Sequence, residues 1–175
     1  GFRGNGLSFG GQTDSGLCAA GVSGGVASGN FIGLATDGVT AAGNGSGVVL
    51  TASSGLVGGP TAADRNVISA NATDGVSRSS ATATSTTIQN NLIGTDKSGS
   101  LDRGNGGHGV SIGASASNVQ VGAANAPNLI AFNSRGVRLP NSSGGNVLFA
   151  NRIVSNDFLG IDLGPDGVTP NDPND

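Results

Sequence analysis

Thr87-Ile88-Gln89-Asn90-Asn91-Leu92-Ile93-Gly94-Thr95-Asp96 decides the fold. It reads as a buried strand, an asparagine-lined corner, a second short strand and a Gly-Thr-Asp turn. Aliphatic and β-branched residues stand where strands are favoured, and Asn, Gly and Asp stand where the chain must bend. The phrase recurs at Asn30-Phe31-Ile32-Gly33 and, altered, at Asn151-Arg152-Ile153-Val154. The offsets are 91 − 30 = 61 and 151 − 91 = 60 residues. A fixed period of this kind marks a solenoid.

On either side of this stretch, two long copies keep one order. The first holds Gly43-Asn44-Gly45, Gly47-Val48, Asn66-Val67-Ile68-Ser69-Ala70-Asn71 and Gly75-Val76. The second holds Gly104-Asn105-Gly106, Gly109-Val110, Asn128-Leu129-Ile130-Ala131-Phe132-Asn133 and Gly136-Val137. A third opens at Asn146-Val147-Leu148-Phe149-Ala150-Asn151 and runs to Gly164. The apolar runs never reach helical length, and Val119-x-Val121 and Val110-x-Ile112 alternate with period two, which is a strand signal. The expected fold is all-β: a right-handed parallel β-helix. Dividing each cycle into three coils of about 20 residues predicts about eight coils at roughly 4.8 Å each. Residues 1–164 form one β-helix domain, with 1–25 an irregular first coil. Residues 165–175 are a Pro/Asp-rich tail or the start of a next module.

In such a stack an Asn repeated at one corner forms a ladder, its amide bonding the next Asn and the backbone. The brackets around Val-Ile, Leu-Ile and Val-Leu-Phe favour Asn66, Asn71, Asn128, Asn133, Asn146 and Asn151 for this role, the alternative being exposed turn asparagines that tolerate the left-handed region.

Composition agrees with a solenoid. The 175 residues include 33 Gly, no Met, Trp or Tyr, and acids that are all Asp. Most strong helix formers are therefore scarce. The net charge of −3 is scattered, so no basic patch serves nucleic acid. No apolar run is long enough for a membrane span. Gly1-Phe2-Arg3-Gly4 lacks the features of a signal peptide, as expected of a mature or cut-out piece. Cys18 is the single cysteine, so no internal disulfide forms, and its expected role is that of a small buried hydrophobe.

These phrases resemble the right-handed parallel β-helix repeat modules of large secreted bacterial surface proteins. The matching residues are Asn66 to Asn71, Asn91 to Asp96 with Gly99, and above all Gly160-Ile161-Asp162-Leu163-Gly164-Pro165-Asp166-Gly167-Val168-Thr169-Pro170-Asn171-Asp172-Pro173. The resemblance covers about residue 26 to the end. It implies export, an extracellular or cell-surface place, and a structural or adhesive role. It supplies no catalytic residues. Further modules normally follow the last phrase in that family, which implies a fragment or a processed unit.

Gly107-His108-Gly109 looks like the Gly-His-Gly segment of polygalacturonase-type glycoside hydrolases. Those enzymes need an acid and a base set apart to admit water. No two Asp are adjacent here, and His108 falls inside the internal repeat, so a turn histidine is expected and no catalytic residue is assigned. Asp37, Asp74, Asp96 and Asp102 stand beside turns and are expected to cap them. Asp162, Asp166 and Asp172, with Asn171 and Asp175, make either a solvated acidic tail or a calcium site, since calcium asks for converging oxygens. No other cofactor is called for. The expected partners are further copies, joined end to end into a fibre because open solenoid ends expose strand edges. A glycan or other surface ligand on the flank is the alternative.

Overall fold

A computed structural model of the chain describes residues 7–9, 18–19, 24–51, 54–78, 85–114, 116–140 and 144–164. It contains short strands in three parallel sheets and one 3-10 turn at Ala62–Asp64. The chain visits the sheets in rotation. Sheet one holds β3 (Gly25–Ala27), β6 (Ser54–Gly58), β9 (Ser85–Gln89), β12 (Val119–Val121) and β15 (Val147–Leu148). Sheet two holds β4 (Phe31–Ile32), β7 (Val67–Ile68), β10 (Leu92–Ile93), β13 (Leu129–Ala131) and β16 (Arg152–Val154). Sheet three holds β5 (Val48–Leu50), β8 (Val76–Arg78), β11 (His108–Ile112), β14 (Arg135–Arg138) and β17 (Ile161–Asp162). Two further strands, β1 (Leu7–Phe9) and β2 (Cys18–Ala19), extend sheet three beyond β5, with β1 against β5 and β2 outside β1. This is a parallel β-helix.

The coils are larger than the twenty residues expected. Among the described residues five complete turns lie between Gly25 and Asp162, and that stretch of chain would hold about seven coils at the expected length. Equivalent corner residues are 36, 25, 37 and 23 residues apart. The sixty-residue rhythm is therefore a pair of coils, one long step and one short. Each coil is therefore about half of the sixty-residue cycle, not a third of it.

Register puts one apolar column from each sheet inside. Sheet one supplies Ala27, Val57, Ile88, Val121 and Leu148. Sheet two supplies Ile32, Ile68, Ile93, Ile130 and Ile153. Sheet three supplies Val48, Val76, Val110, Val137 and Ile161. The members from the second to the fourth coil are 0 % exposed, which is where a column has neighbours both above and below. Stacked β-branched residues suit this arrangement, because each packs on its own kind at the strand spacing.

The residue before each inward Val in sheet three is Gly, and sterics explain it. A Cβ on Gly109 would stand 2.5 Å from Ile130 Cγ2 and 2.9 Å from Asn133 Nδ2, both in the coil above. Gly47, Gly75 and Gly136 meet Ile68, Ile93 and Ile153 in the same way. The Gly-Val pairs visible in the sequence are thus the floor on which the isoleucine column sits.

Candidate functional site

Two of the three corners carry asparagine ladders. At the corner between sheets one and two, Nδ2 of Asn30, Asn66, Asn91 and Asn128 donates to Oδ1 of Asn66, Asn91, Asn128 and Asn151 at 3.1, 2.9, 3.0 and 2.9 Å. At the corner between sheets two and three, Asn44, Asn71, Asn105 and Asn133 donate to Asn71, Asn105, Asn133 and Asn156 at 3.0, 2.9, 2.8 and 3.1 Å. The second Nδ2 hydrogen goes back to a carbonyl of the coil below, as from Asn128 to Ile88 and from Asn105 to Ile68. Each Oδ1 in the second ladder also receives the backbone N–H of the Asn below it. An interior rung thus satisfies both donors and both lone pairs of a buried amide.

Of the six asparagines selected from the sequence, Asn66, Asn128 and Asn151 stand in the first column, and Asn71 and Asn133 in the second. Asn146 stands in neither. It belongs to the third corner, where it accepts from Val119 N–H and donates to Ala116 O. Sequence reasoning passed over Asn30, Asn91, Asn44, Asn105 and Asn156. The signal for the last was a column of Ile followed by a turn and then Asn, repeated in every coil.

One left-handed residue precedes each ladder step, and its identity tells which corners carry loops. Where the corner is short it adjoins the ladder Asn: Gly29, Ala70, Asn90, Phe132, Ala150 and Ser155. Where a loop is inserted, it is Gly33, Gly58, Gly94 or Gly122. Gly94 has φ +90°, and a Cβ there would strike the backbone carbonyl of Ala131 and lie 2.6 Å from Asn133 Oδ1. The coil above a loop therefore places a backbone carbonyl, with the ladder Asn beside it, where the side chain would have been.

The inserted loops alternate. Coils two and four carry theirs between sheets one and two; coils one and three carry theirs between sheets two and three. The latter pair, residues 34–41 and 95–102, each close with an antiparallel bridge, Leu34–Ala41 and Thr95–Asp102. They stack on each other across the intervening coil. Lys97 N–H donates to Gly38 O at 2.9 Å, and Arg103 Nε donates to Val39 O at 2.6 Å. The fifth coil has no such loop.

The acids of these loops are spent on turns. Asp37 accepts Thr40 Oγ1 and the N–H groups of Thr40 and Val39, and these bonds hold it down to about 2. Burial pushes Asp96 up, but N–H of Leu101, the Ser98 hydroxyl and N–H of Ser100 outweigh it and leave it at about 2. Asp102 accepts Gly104 N–H. Asp37 and Asp96 therefore stay ionised and hydrogen-bonded, and offer no proton near neutrality.

His108 lies on the flank of sheet three. Its Nδ1 is 3.0 Å from Asp74 Oδ1, which also accepts the His108 backbone N–H at 2.8 Å. Burial works against the Asp74 charge, yet the His108 bonds prevail and keep its pKa lowered. Arg135 follows His108 in register one coil up, and its guanidinium carbon lies 5.3 Å from the ring centre of Phe158. Acid, imidazole, guanidinium and aromatic ring thus climb the flank one coil at a time. Among the described residues no three His, Cys, Asp or Glu come together as a metal site would need. Asp162 is buried, accepts Gly164 N–H and pairs with Arg138 in register. Asp166, Asp172 and the rest of the acidic tail lie outside the described residues, as does the side chain of Cys18. Among the described residues no helix is long and apolar enough to cross a membrane.

No known family's sequence model, no curated protein and no solved structure matches this chain.

Proposed function

We propose that this chain is a structural module: a stiff rod of an exported bacterial surface or matrix protein that spaces or presents other surfaces and carries out no catalysis. The observation that supports it most is the pair of ladders. Buried amides bond rung to rung through all five complete coils, at two corners, beside three continuous parallel sheets. Such a stack resists bending and leaves little backbone for a protease. The placement at a cell surface rests on the resemblance of the repeat phrases.

Association of copies end to end is part of this reading. Val147, Phe149, Val154, Phe158, Ile161 and Leu163 are each at least 36 % exposed, and all lie in the fifth coil. Among the described residues that coil presents an apolar end and, in each sheet, a strand edge with no further strand beside it.

The test is mechanical and chemical together. A single copy tethered between rigid handles should keep its length under load and then rupture in one or a few cooperative steps. Gradual extension at low force would contradict the rod. The same preparation should release no reducing ends from a panel of polysaccharides. Hydrolysis that disappears in His108→Ala would replace the structural reading with an enzymatic one. Sedimentation and electron microscopy decide the fibre: a strictly monomeric species at high concentration removes it.

The flank column favours one second reading. Phe158 is 67 % exposed and stacked by Arg135, with His108 below, which is an arrangement suited to an acidic sugar. A glycan array, with Phe158→Ala and Arg135→Ala as controls, tests it directly.

A further inference from the structure

Two residue choices in the second ladder, each forced by the fold, together make a chemically weak joint. Asn105 is the middle rung and is 2 % exposed. Its Nδ2 donates to Asn133 Oδ1 at 2.8 Å and to Ile68 O at 3.0 Å. Its Oδ1 accepts Asn71 Nδ2 at 2.9 Å and Asn71 N–H at 3.1 Å. The ladder therefore requires an amide here. The next residue is Gly106, and a Cβ on it would lie 2.3 Å from the carbonyl oxygen of Ala72 in the coil below. The stack therefore requires glycine directly after that amide.

Asparagine is a labile residue, and a following glycine makes it more so. The backbone nitrogen of the glycine attacks the asparagine Cγ, and no side chain stands in its way. The N–Cγ bond forms, the Cγ–Nδ2 bond breaks, and ammonia leaves. Water then opens the cyclic imide at one carbonyl or the other. The product is aspartate or isoaspartate, and the latter lengthens the backbone by a methylene. Of the residues in the two ladders, only Asn44 and Asn105 are followed by Gly.

The folded stack blocks this chemistry at Asn105. Gly106 N–H donates to Asn71 O at 2.9 Å, so the attacking nitrogen is held by the coil below. The Asn105 amide is fixed from above and below by its four bonds. Re-entry of the product is blocked as well. Aspartate at 105 would set an oxygen, in place of Nδ2, against Asn133 Oδ1 and Ile68 O, away from water. A buried charge that faces two acceptors is strongly destabilising. The longer backbone of isoaspartate would displace Gly106 from its close fit over Ala72.

We propose that Asn105-Gly106 is a deamidation site that reacts only while the third coil is open, and that the acid formed there bars the chain from folding again. The ladder then works in one direction. A copy keeps this amide for as long as it stays folded, and a copy that stays open is marked permanently. The inference rests on the ladder and not on the reading of the chain as a rod.

Two measurements test it on the whole chain. The parent is held at mildly alkaline pH, folded in buffer or unfolded in guanidinium chloride, and conversion at each Asn is mapped by peptide mass. Unfolded, Asn105 should convert well before Asn91, which is followed by Leu92. Equal rates at the two overturn the proposal. Folded, Asn105 should convert more slowly than in the unfolded chain by a factor of about a thousand or more, set by the fraction of chains that is open. A smaller factor means that the amide reacts in place, and also overturns the proposal. The acid is then made directly. Asn105→Asp should be missing from the folded fraction or melt below the parent, and a Tm equal to the parent's overturns the one-way step. The mapping uses the unaltered chain, so a variant that fails to fold does not shelter the idea.

Discussion

Asn91 and Asn128 are separated by 37 residues of chain and by one step of the stack. Asn91 Nδ2 donates to Asn128 Oδ1 at 3.0 Å, and Asn91 N–H donates to the same oxygen at 2.9 Å. Asn91 also accepts from Asn66 and donates to Val57 O and Gln89 O, while being 1 % exposed. The Asn91 side chain thus takes part in four hydrogen bonds, with partners in three coils, and its backbone N–H makes a fifth. Asn91→Ala leaves several buried donors and acceptors unmatched, each at about 1–3 kcal/mol. The expected loss is about 3–5 kcal/mol, read as a fall in denaturant midpoint with unchanged slope. Asn151→Ala, on the half-buried last rung, should lose under about 2 kcal/mol. Equal losses at the two positions would mean that the ladder is not cooperative from rung to rung.

The glycine floor gives a second prediction. Gly109→Ala drives a methyl into Ile130 Cγ2 and Asn133 Nδ2, and should cost about 1–3 kcal/mol by overpacking. Ile130→Leu removes the branch that is struck, so the double variant should be less destabilised than the two single changes summed. Gly144→Ala, with nothing within 4 Å of the added carbon, should stay within about 0.5 kcal/mol of the parent. Thermal or denaturant unfolding of the four variants decides it. Simple additivity of Gly109 and Ile130 would refute the contact as the cause.

What the sequence made legible follows from what repeats. The short strands, the Gly-Val pairs and the corner asparagines recur, so periodicity alone locates them. Coil length did not repeat: loops switch from one corner to the other in successive coils, and only the pair is periodic. Asn44 and Asn105 were hidden because Gly-Asn-Gly reads as an ordinary turn. Asn146 was misassigned because Asn-Val-Leu resembles Asn-Val-Ile at Asn66, although one opens sheet one and the other sheet two. The buried Arg78 was readable and missed: Val76-Ser77-Arg78 alternates with period two, which turns Arg78 to the same side as Val76.

The loop carboxylates predict an acid limb. Asp37 and Asp96 fall from 3.8 to about 2 in the folded chain. A carboxyl with a depressed folded pKa binds its proton more readily when unfolded. Its contribution is therefore complete above the unfolded value and is lost as pH falls through the folded one. The denaturant midpoint should be flat from neutrality to about pH 5 and decline between about pH 4 and 2. Asp96→Asn should lower the midpoint near neutrality and make the decline shallower. A midpoint that rises on acidification through this window would contradict the assignment of these bonds.

The stacked loops give the sharpest test of what is frame and what is attachment. Coil two turns from sheet two to sheet three through Ser69-Ala70-Asn71 alone, with Ala70 left-handed at φ 56°. Coil three makes the same turn through residues 94–104, and Gly94 starts it at φ +90°. Replacing residues 94–104 by Ser-Ala should therefore give coil three the short corner of coil two, with Asn105 still in its ladder. The shortened chain should fold, and the amides of β10 and β11 should stay protected from hydrogen exchange. Loop 34–41 loses Lys97 N–H from Gly38 O and Arg103 Nε from Val39 O, so it should become the first site of proteolysis. If the shortened chain instead unfolds as a whole, the loops hold up the stack, and the ladders alone do not.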